Sequence, residues 1–223
     1  MPGSRDPIEH DRDQLAMLAR QIGENWVETP YFDQAEQDTD WHWHDFVFPM
    51  IQDCDFSVVL DLAAGHGRNA AKLLELAEKL YIVDVNEENV EFCRRRFEGD
   101  ERVSFLLCDG ISLTGIPDGE ISLAYCFDSM VHFDSDVVRA YLGEFRRVLR
   151  PGGRGMCHHS NYTAQPSTPD FRANPHWRNF MSRELFEHYC YKEGLAVIHA
   201  QVIDWGVPEL DCITVFEKPV ASS

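Results

Sequence analysis

From Phe56 onward, short apolar runs rich in Val, Ile, Leu and Phe alternate with longer amphipathic segments. Runs of that length bounded by turn residues predict strands near 57–62, 80–84, 103–107, 121–127, 154–159, 195–203 and 211–217. Helices are expected between them, near 67–78, 87–97, 135–149 and 182–193. Such alternation argues for an α/β fold, a doubly wound and mostly parallel seven-stranded sheet covered on both faces by helices. The last two strands are joined by a short turn around Val207-Pro208-Glu209, too short for a crossover helix, so the last strand should run antiparallel. Ahead of this core, residues 1 to about 9 read as a tail. Leu15, Leu18, Ile22 and Trp26 then mark a helix from about Asp11 to Val27. The expected organisation is an N-terminal tail and helical cap over 1–54 and a single α/β domain over 55–219.

Two stretches depart from this rhythm. Tyr31, Phe32, Trp41, Trp43, Phe46 and Phe48, interleaved with His42 and His44, form an aromatic belt. Core packing accounts for most of such a belt, yet its place before an α/β core suits a cap over a ligand crevice. Residues 160–181, with Phe171, Trp177 and Phe180, make a long connection of the kind that serves as a lid. Trp41, Trp43, Asn161 and Trp177 are therefore candidate substrate contacts.

Composition narrows the function classes. Across 223 residues, 38 acidic side chains against 20 Lys and Arg give a formal charge of −18. That charge repels phosphate backbones and anionic lipid, so the expected partner is a small molecule, not nucleic acid or membrane. The basic clusters Arg94-Arg95-Arg96 and Arg146-Arg147 read as solvated helix faces. Seven scattered cysteines without a Cys-x-x-Cys pair read as free thiols of a reducing cytoplasm, needing neither zinc nor disulfide. The first residues show no apolar signal-peptide core and no stretch reaches membrane-spanning length, consistent with a cytoplasmic protein.

The most informative segment is Val58 to Ala70, where an apolar strand meets Asp61 and then Gly65 and Gly67, two residues apart, before an Ala-Leu-rich helix. Glycine accepts positive φ and lets a ligand lie against bare backbone, as expected for an adenosine-containing cofactor. The spacing Gly65-x-Gly67-x-x-Ala70 also fits a loose nicotinamide fingerprint, with Asp84 in reach of ribose hydroxyls. Further residues shift the balance. Asp61 precedes the glycines, Asp84 ends Tyr-Ile-Val-Asp, Cys108-Asp109-Gly110 follows the third strand, and Leu149-Arg150-Pro151-Gly152-Gly153 precedes the fifth. In this order the chain, from about residue 55 to its end, resembles the class I S-adenosylmethionine-dependent methyltransferases. The resemblance implies S-adenosylmethionine as cofactor. It implies Asp84 on the ribose hydroxyls and Asp109 on the adenine amino group, with Asp61, Ala63, Gly65, Gly67, Val85, Gly110 and Phe127 around them. Ala63 stands where the family often has a third glycine.

In an open parallel sheet the crevice lies beyond the carboxyl ends of the strands, where strand order reverses. For this resemblance that point lies between the first and fourth strands. Asp128, Ser129 and His132 arrive there after the fourth strand, and His158, His159, Ser160 and Asn161 after the fifth. A neutral histidine suits removal of a hydroxyl proton as methyl transfer proceeds. Because successive strand residues face opposite ways, only one of His158 and His159 can enter the crevice. His159 is the first choice, with His158 and His132 as competitors and Asp128 as a positioning acid. Asp128 and Asn161 with a histidine could instead hold a metal, but the acid-amide pair of the catechol-type enzymes is missing, so no metal is expected. Asp128-Ser129-Met130-Val131 lacks the prolines of base-methylating enzymes. The leading expectation is methylation of a hydroxyl on a small polar metabolite, such as a sugar or other polyhydroxylated compound. Methylation of a small amine, or a catalytically idle cofactor-fold binding protein, are the alternatives.

Overall fold

The structure is a computed structural model that describes residues 7–26, 29–164 and 170–220, with side chains described from residue 12. Its strands are β1 (Val58–Leu62), β2 (Lys79–Asp84), β3 (Val103–Leu107), β4 (Ile121–Cys126), β5 (Leu149–Ser160), β6 (Ala196–Ile203) and β7 (Asp211–Glu217). They form one sheet in the order β3-β2-β1-β4-β5-β7-β6. Strands β1 to β5 pair in parallel, and β7 runs antiparallel to both β5 and β6. The expected mixed sheet with one antiparallel strand is thus observed, and its order reverses between β1 and β4.

Central strands β1 and β4 are apolar apart from Asp61 and Ser122 because both their faces are covered, and every residue of β4 is buried. One face packs on α1 (Pro7–Glu24), α7 (Ser135–Val148) and α8 (Arg183–Lys192), joining Leu60, Leu62, Phe145, Phe186 and Phe216 in one cluster. The other face packs on α5 (Arg68–Leu74), α6 (Glu87–Arg96) and the cap, around Val59, Leu80, Tyr125 and Ile213. Complete burial of each such Leu or Ile stabilises by about 1.5–3 kcal/mol before entropy is counted. Strand β6 lies at the edge, which explains its alternating exposure. Leu149 joins β5 before the Pro151-Gly152-Gly153 turn, so β4 and β5 slip register between Ile121 and Leu123.

Helix termini follow their capping residues. The Asp134 side chain accepts from the Asp136 amide at the start of α7, and Ser182 accepts from Leu185 at the start of α8. Helix α1 begins at Pro7, earlier than expected from its apolar spacing, because proline tolerates a first-turn position. The first six residues of the expected tail lie outside the described residues.

The cap comprises α2 (Tyr31–Gln37), α3 (Thr39–His42), a π-turn over Trp43–Val47 and α4 (Phe48–Ile51). The extra residue in the π-turn carries Trp43 and Val47 into the core beneath the sheet. The expected lid forms short 3₁₀ turns at Phe171–Ala173 and Pro175–Trp177, with a bridge from Tyr162 to Phe180. Its residues 165–169 lie outside the described residues. Among the described residues no helix is long and apolar enough to cross a membrane.

Candidate functional site

Two cavities meet at the carboxyl ends of β1 and β4. The first, of about 670 Å³, runs under α1 and past the β1 and β2 ends, with Leu62, Ala63, Gly65, Asp84, Val85, Cys108, Gly110 and Tyr141 among its walls. The second, of about 1160 Å³ and open to solvent, lies between the cap, the 176–178 segment and the β6–β7 turn. The two share Trp26, Tyr31, Asp128 and His132.

The first cavity is shaped by backbone. Gly65 sits at φ 56°, and a Cβ there would come within 2.5 Å of the Phe32 ring, so glycine is required. The Gly65 amide donates to Asp84 Oδ2 at 2.9 Å, while the Asn86 amide and Asn89 Nδ2 donate to Oδ1 at 2.9 and 3.2 Å. Burial raises the Asp84 carboxyl above its ordinary range, and these hydrogen bonds oppose the rise. Beside it, Asp61 is buried with no partner for Oδ2, and burial, reinforced by Asp84, pushes its carboxyl up to about 8. The hydroxyl of Tyr125, which pairs with Asp61 across the β1–β4 register, also lacks a partner.

Of the residues expected at the cofactor, Asp61, buried within β1, does not line this cavity, and three others sit elsewhere. Asp109 turns its Oδ1 back on its own loop, accepting from the Ile111 and Ser112 amides at 3.0 and 2.7 Å, and does not line the cavity. Gly67, at φ 78°, starts α5 and faces Phe97 and Cys93 of the α6 side. Phe127 points to the opposite side of the crevice, against His158 and His42 with ring centroids 4.7 and 5.7 Å away. It borders a smaller cavity of about 320 Å³ alongside Arg68 and Asn69.

The shared boundary is built on Asp128, held at φ 58°, an uncommon conformation for a non-glycine residue. Its Oδ2 accepts from the Tyr31 hydroxyl at 2.6 Å and from Arg68 Nη2 at 2.7 Å. Burial would raise this carboxyl, but Arg68 and the other partners hold it below its ordinary value. Arg68 Nη1 also donates to the Ala35 carbonyl at 3.1 Å and lies 3.3 Å from His42 Nδ1. With the Arg96–Glu36 ion pair at 2.6 Å and the stack of Phe32, His66 and Phe92, these contacts fasten the cap to the sheet.

The three candidate histidines separate cleanly. His132 Nδ1 lies 2.8 Å from the Trp177 carbonyl, which can only accept, so this nitrogen carries the proton. The lone pair is then on Nε2, in a side chain that borders both cavities. Burial, with Arg178 nearby, lowers its pKa to about 4. His158 is enclosed: Nδ1 accepts from the Asp128 amide at 3.2 Å, so Nε2 is protonated and donates to Asp211 Oδ2 at 3.0 Å. Arg178 grips the same carboxylate through Nε and Nη2 at 2.9 and 2.5 Å. Despite burial, His158 and Arg178 hold the Asp211 carboxyl down to about 2. This network props the Asp128 backbone from beneath.

His159, the first choice from sequence, faces away from the crevice. It is fully buried and stacks on Phe186 at 3.9 Å; Nδ1 bonds the Ser160 carbonyl and Nε2 the Thr214 hydroxyl, each at 2.9 Å. Both nitrogens are used, and burial lowers its pKa to about 3, so it is a core residue. Trp43 is likewise core, 7% exposed and stacked near Phe48. Asn161 ties the β6–β7 turn to α8, donating to the Glu209 carbonyl at 2.9 Å and accepting from the Arg183 amide at 3.0 Å. It therefore does not converge with Asp128 on a metal, and no group of three metal-ligating side chains occurs among the described residues.

Trp41 and Trp177 do line the second cavity. Trp177 and His176 both take left-handed φ, 57° and 46°, and Trp177 packs on Trp26 at 5.0 Å. Sequence reading placed Trp26 and Tyr31 in the aromatic N-terminal region without naming them as site residues, and passed over Arg68, Arg178, Trp205 and Asp211. Arg68 alone carried a signal, as a cation placed directly after the glycine loop.

Comparison with known proteins adds to this geometry. A family model described as a methyltransferase domain matches residues 59–153. A demethylmenaquinone methyltransferase of Clavibacter sepedonicus is 35% identical over 98 residues, covering 43% of this chain and 38% of that protein. Aligned stretches span 38% to 57% of the first curated relatives' lengths, about half of each. The solved geranyl diphosphate C-methyltransferase of Streptomyces coelicolor A3(2), in complex with Mg2+, geranyl diphosphate and S-adenosyl-L-homocysteine, superposes with TM-score 0.64 at 15% identity. It covers 86% of this chain and 85% of that one. The cyclase SpnF superposes with TM-score 0.65 at 17% identity, covering 96% of each chain. At such identities the two structures establish the fold, and a fold shared with a cyclase leaves the chemistry to the site.

Proposed function

We propose that the protein is a class I, S-adenosylmethionine-dependent methyltransferase, a reading supported by the methyltransferase-domain model that matches residues 59–153, and that it transfers a methyl group to a hydroxyl of a small polar acceptor. The observation that carries this reading is the shared boundary of the two cavities, where His132 presents an unprotonated Nε2.

The first cavity fits the cofactor. A buried carboxylate, Asp84, stands ready for ribose hydroxyls beside a glycine where any side chain would fill the space. Val85, Cys108 and Gly110 offer a slot for a purine. The guanidinium of Arg68 and the orphaned Asp61 carboxyl flank the loop where a charged amino-acid tail would lie. When bound, S-adenosylmethionine supplies a methyl group on a sulfonium, open to in-line displacement.

The protein's own part is alignment and proton removal. Tyr31 and Arg68 fix Asp128, and Trp26 walls the passage, so an acceptor in the second cavity meets the donor at one place only. As the acceptor oxygen takes the methyl group, its proton passes to His132 Nε2. The Trp177 carbonyl holds the opposite nitrogen protonated and orients the ring. Burial keeps this imidazole neutral throughout the physiological range, so the acceptor form of the base is always present.

The test is release of S-adenosylhomocysteine from a panel of hydroxylated metabolites, paired with thermal shift by S-adenosylhomocysteine and by NAD. Stabilisation by the former and turnover of a hydroxylated acceptor are expected. A larger shift with NAD, or turnover confined to thiols or carbon acids, defeats the proposal.

A further inference from the structure

We infer that the acceptor carries a positive charge, an alkylammonium group seated among the indoles of the second cavity and beside the carboxylates of Asp38 and Asp204. This rests on the methyltransferase reading of the same site.

The walls of this cavity are unusually aromatic and one-sided in charge. Four of the chain's five tryptophans, Trp26, Trp41, Trp177 and Trp205, line it. Its carboxylates are Asp38, Asp128 and Asp204. Asp128 is neutralised by Arg68. Asp38 and Asp204 are exposed and form no ion pair among the described residues: Asp38 Oδ1 accepts from the Trp41 indole at 3.2 Å, and Asp204 Oδ1 from the Glu209 amide at 2.8 Å. Neither carboxylate borders the first cavity.

Positive charge is absent where an anionic substrate would need it. Among the described residues, Arg178 is the one Lys or Arg lining the cavity. It is 2% exposed, and its Nε and Nη2 are committed to Asp211 and its Nη1 to the His176 carbonyl. His42 and His132 are neutral, both lowered to about 4 by burial. A phosphate or carboxylate entering here would meet two uncompensated carboxylates, inside the field of a chain of charge −18. An ammonium would gain those carboxylates and the indole faces. His132, 5% exposed, lines this same cavity together with the two acids, so an acceptor seated here can offer its hydroxyl to the imidazole and its charge to the carboxylates.

The experiment compares three probes at pH 8, without cofactor, by tryptophan emission and calorimetry: choline, its neutral isostere 3,3-dimethylbutan-1-ol, and inorganic phosphate. Choline is expected to bind about tenfold more tightly than the alcohol, with phosphate neither binding nor competing. In Asp38→Asn/Asp204→Asn, where each side chain keeps its carbonyl acceptor, that preference should collapse to about twofold. Equal affinity for choline and the alcohol, undetectable choline binding, displacement of choline by phosphate, or an undiminished preference in the double variant would each overturn the inference. S-adenosylhomocysteine binding, measured on the same protein, reports separately on the methyltransferase reading.

Discussion

The two cavities are made of different material. The first is built on backbone at strand ends, the left-handed Gly65, the Asp84 carboxylate and the β3 loop, all within the stretch matched by the methyltransferase model, and is covered from outside that stretch by α1, Trp26, Tyr31 and Phe32. The second is assembled from side chains. Trp26, Tyr31, Asp38 and Trp41 come from the N-terminal region, Trp177 and Arg178 from the segment before α8, and Trp205 from the β6–β7 turn. Only Asp128 and His132 reach it from within the matched stretch. A ligand common to many proteins can be gripped by peptide groups and a carboxylate fixed in the sheet. A private ligand has to be read by side chains on appended segments, which change without disturbing the core.

The division breaks first at its boundary. His132→Ala should lower turnover by about 10²–10⁴-fold while leaving S-adenosylhomocysteine affinity unchanged in calorimetry. A matching loss of cofactor affinity would show that the cavities are not separable. Removing one partner from the buried network under Asp128 should be nearly as costly. Asp211→Asn strands the Arg178 guanidinium without its counter-charge and should destabilise by about 3–5 kcal/mol, read from denaturant unfolding. A cost under about 1 kcal/mol would exclude the network as a structural support.

On the other side, Asp84→Ala should weaken S-adenosylhomocysteine binding by about 10–100-fold, as expected for loss of hydrogen bonds to a charged group. The choline preference should survive that change. Titration sharpens the contrast further. Proton resonances of the His132 and His159 rings should stay neutral until near pH 4 and pH 3 respectively. The unfolded chain takes up these protons near pH 6.5, so between those values it holds more protons than the native state, and stability falls as pH drops. Asp61 acts in the opposite sense. Its native pKa of about 8 lies above the ordinary carboxylate value, so its contribution is lost as pH rises from about 4 through 8. Asp61→Asn should therefore gain stability over wild type as pH increases, and a pH-independent difference would contradict the burial. The smallest effect is expected at Ala63, held at φ 56°. Ala63→Gly should relieve about 1 kcal/mol or less, because glycine takes this conformation freely but gains entropy when unfolded. A lowered melting temperature would argue that the Ala63 methyl group packs usefully.

Legibility differed between the two regions for a physical reason. Each strand in the sheet is an apolar run whose length and bounding turns are local properties, so the observed ends fall close to the expected ones, as in β3 at 103–107 and β7 at 211–217. The glycine loop and Asp84 were legible because their positions relative to β1 and β2 follow from chain geometry alone. His158 and His159 were not. On a strand buried on both faces, adjacent residues are equally enclosed, and no polar alternation marks which side opens on the crevice. Asp211, more than 50 residues away, accepts the hydrogen bond from His158 Nε2, and Thr214 and Phe186 claim His159.

Local order along the chain was thus enough to determine the sheet, its covering helices and the cofactor-side loop, because period and turn chemistry act over a few residues. Which aromatic became wall and which became core was decided in three dimensions. Trp41 and Trp43 lie two apart, yet Trp43 is buried in the π-turn and Trp41 is left at the second cavity. Which nitrogen of His132 carries its proton was also decided there, since the Trp177 carbonyl that orients the ring lies 45 residues away. Such assignments depend on long-range packing and hydrogen-bond competition, which no local pattern encodes.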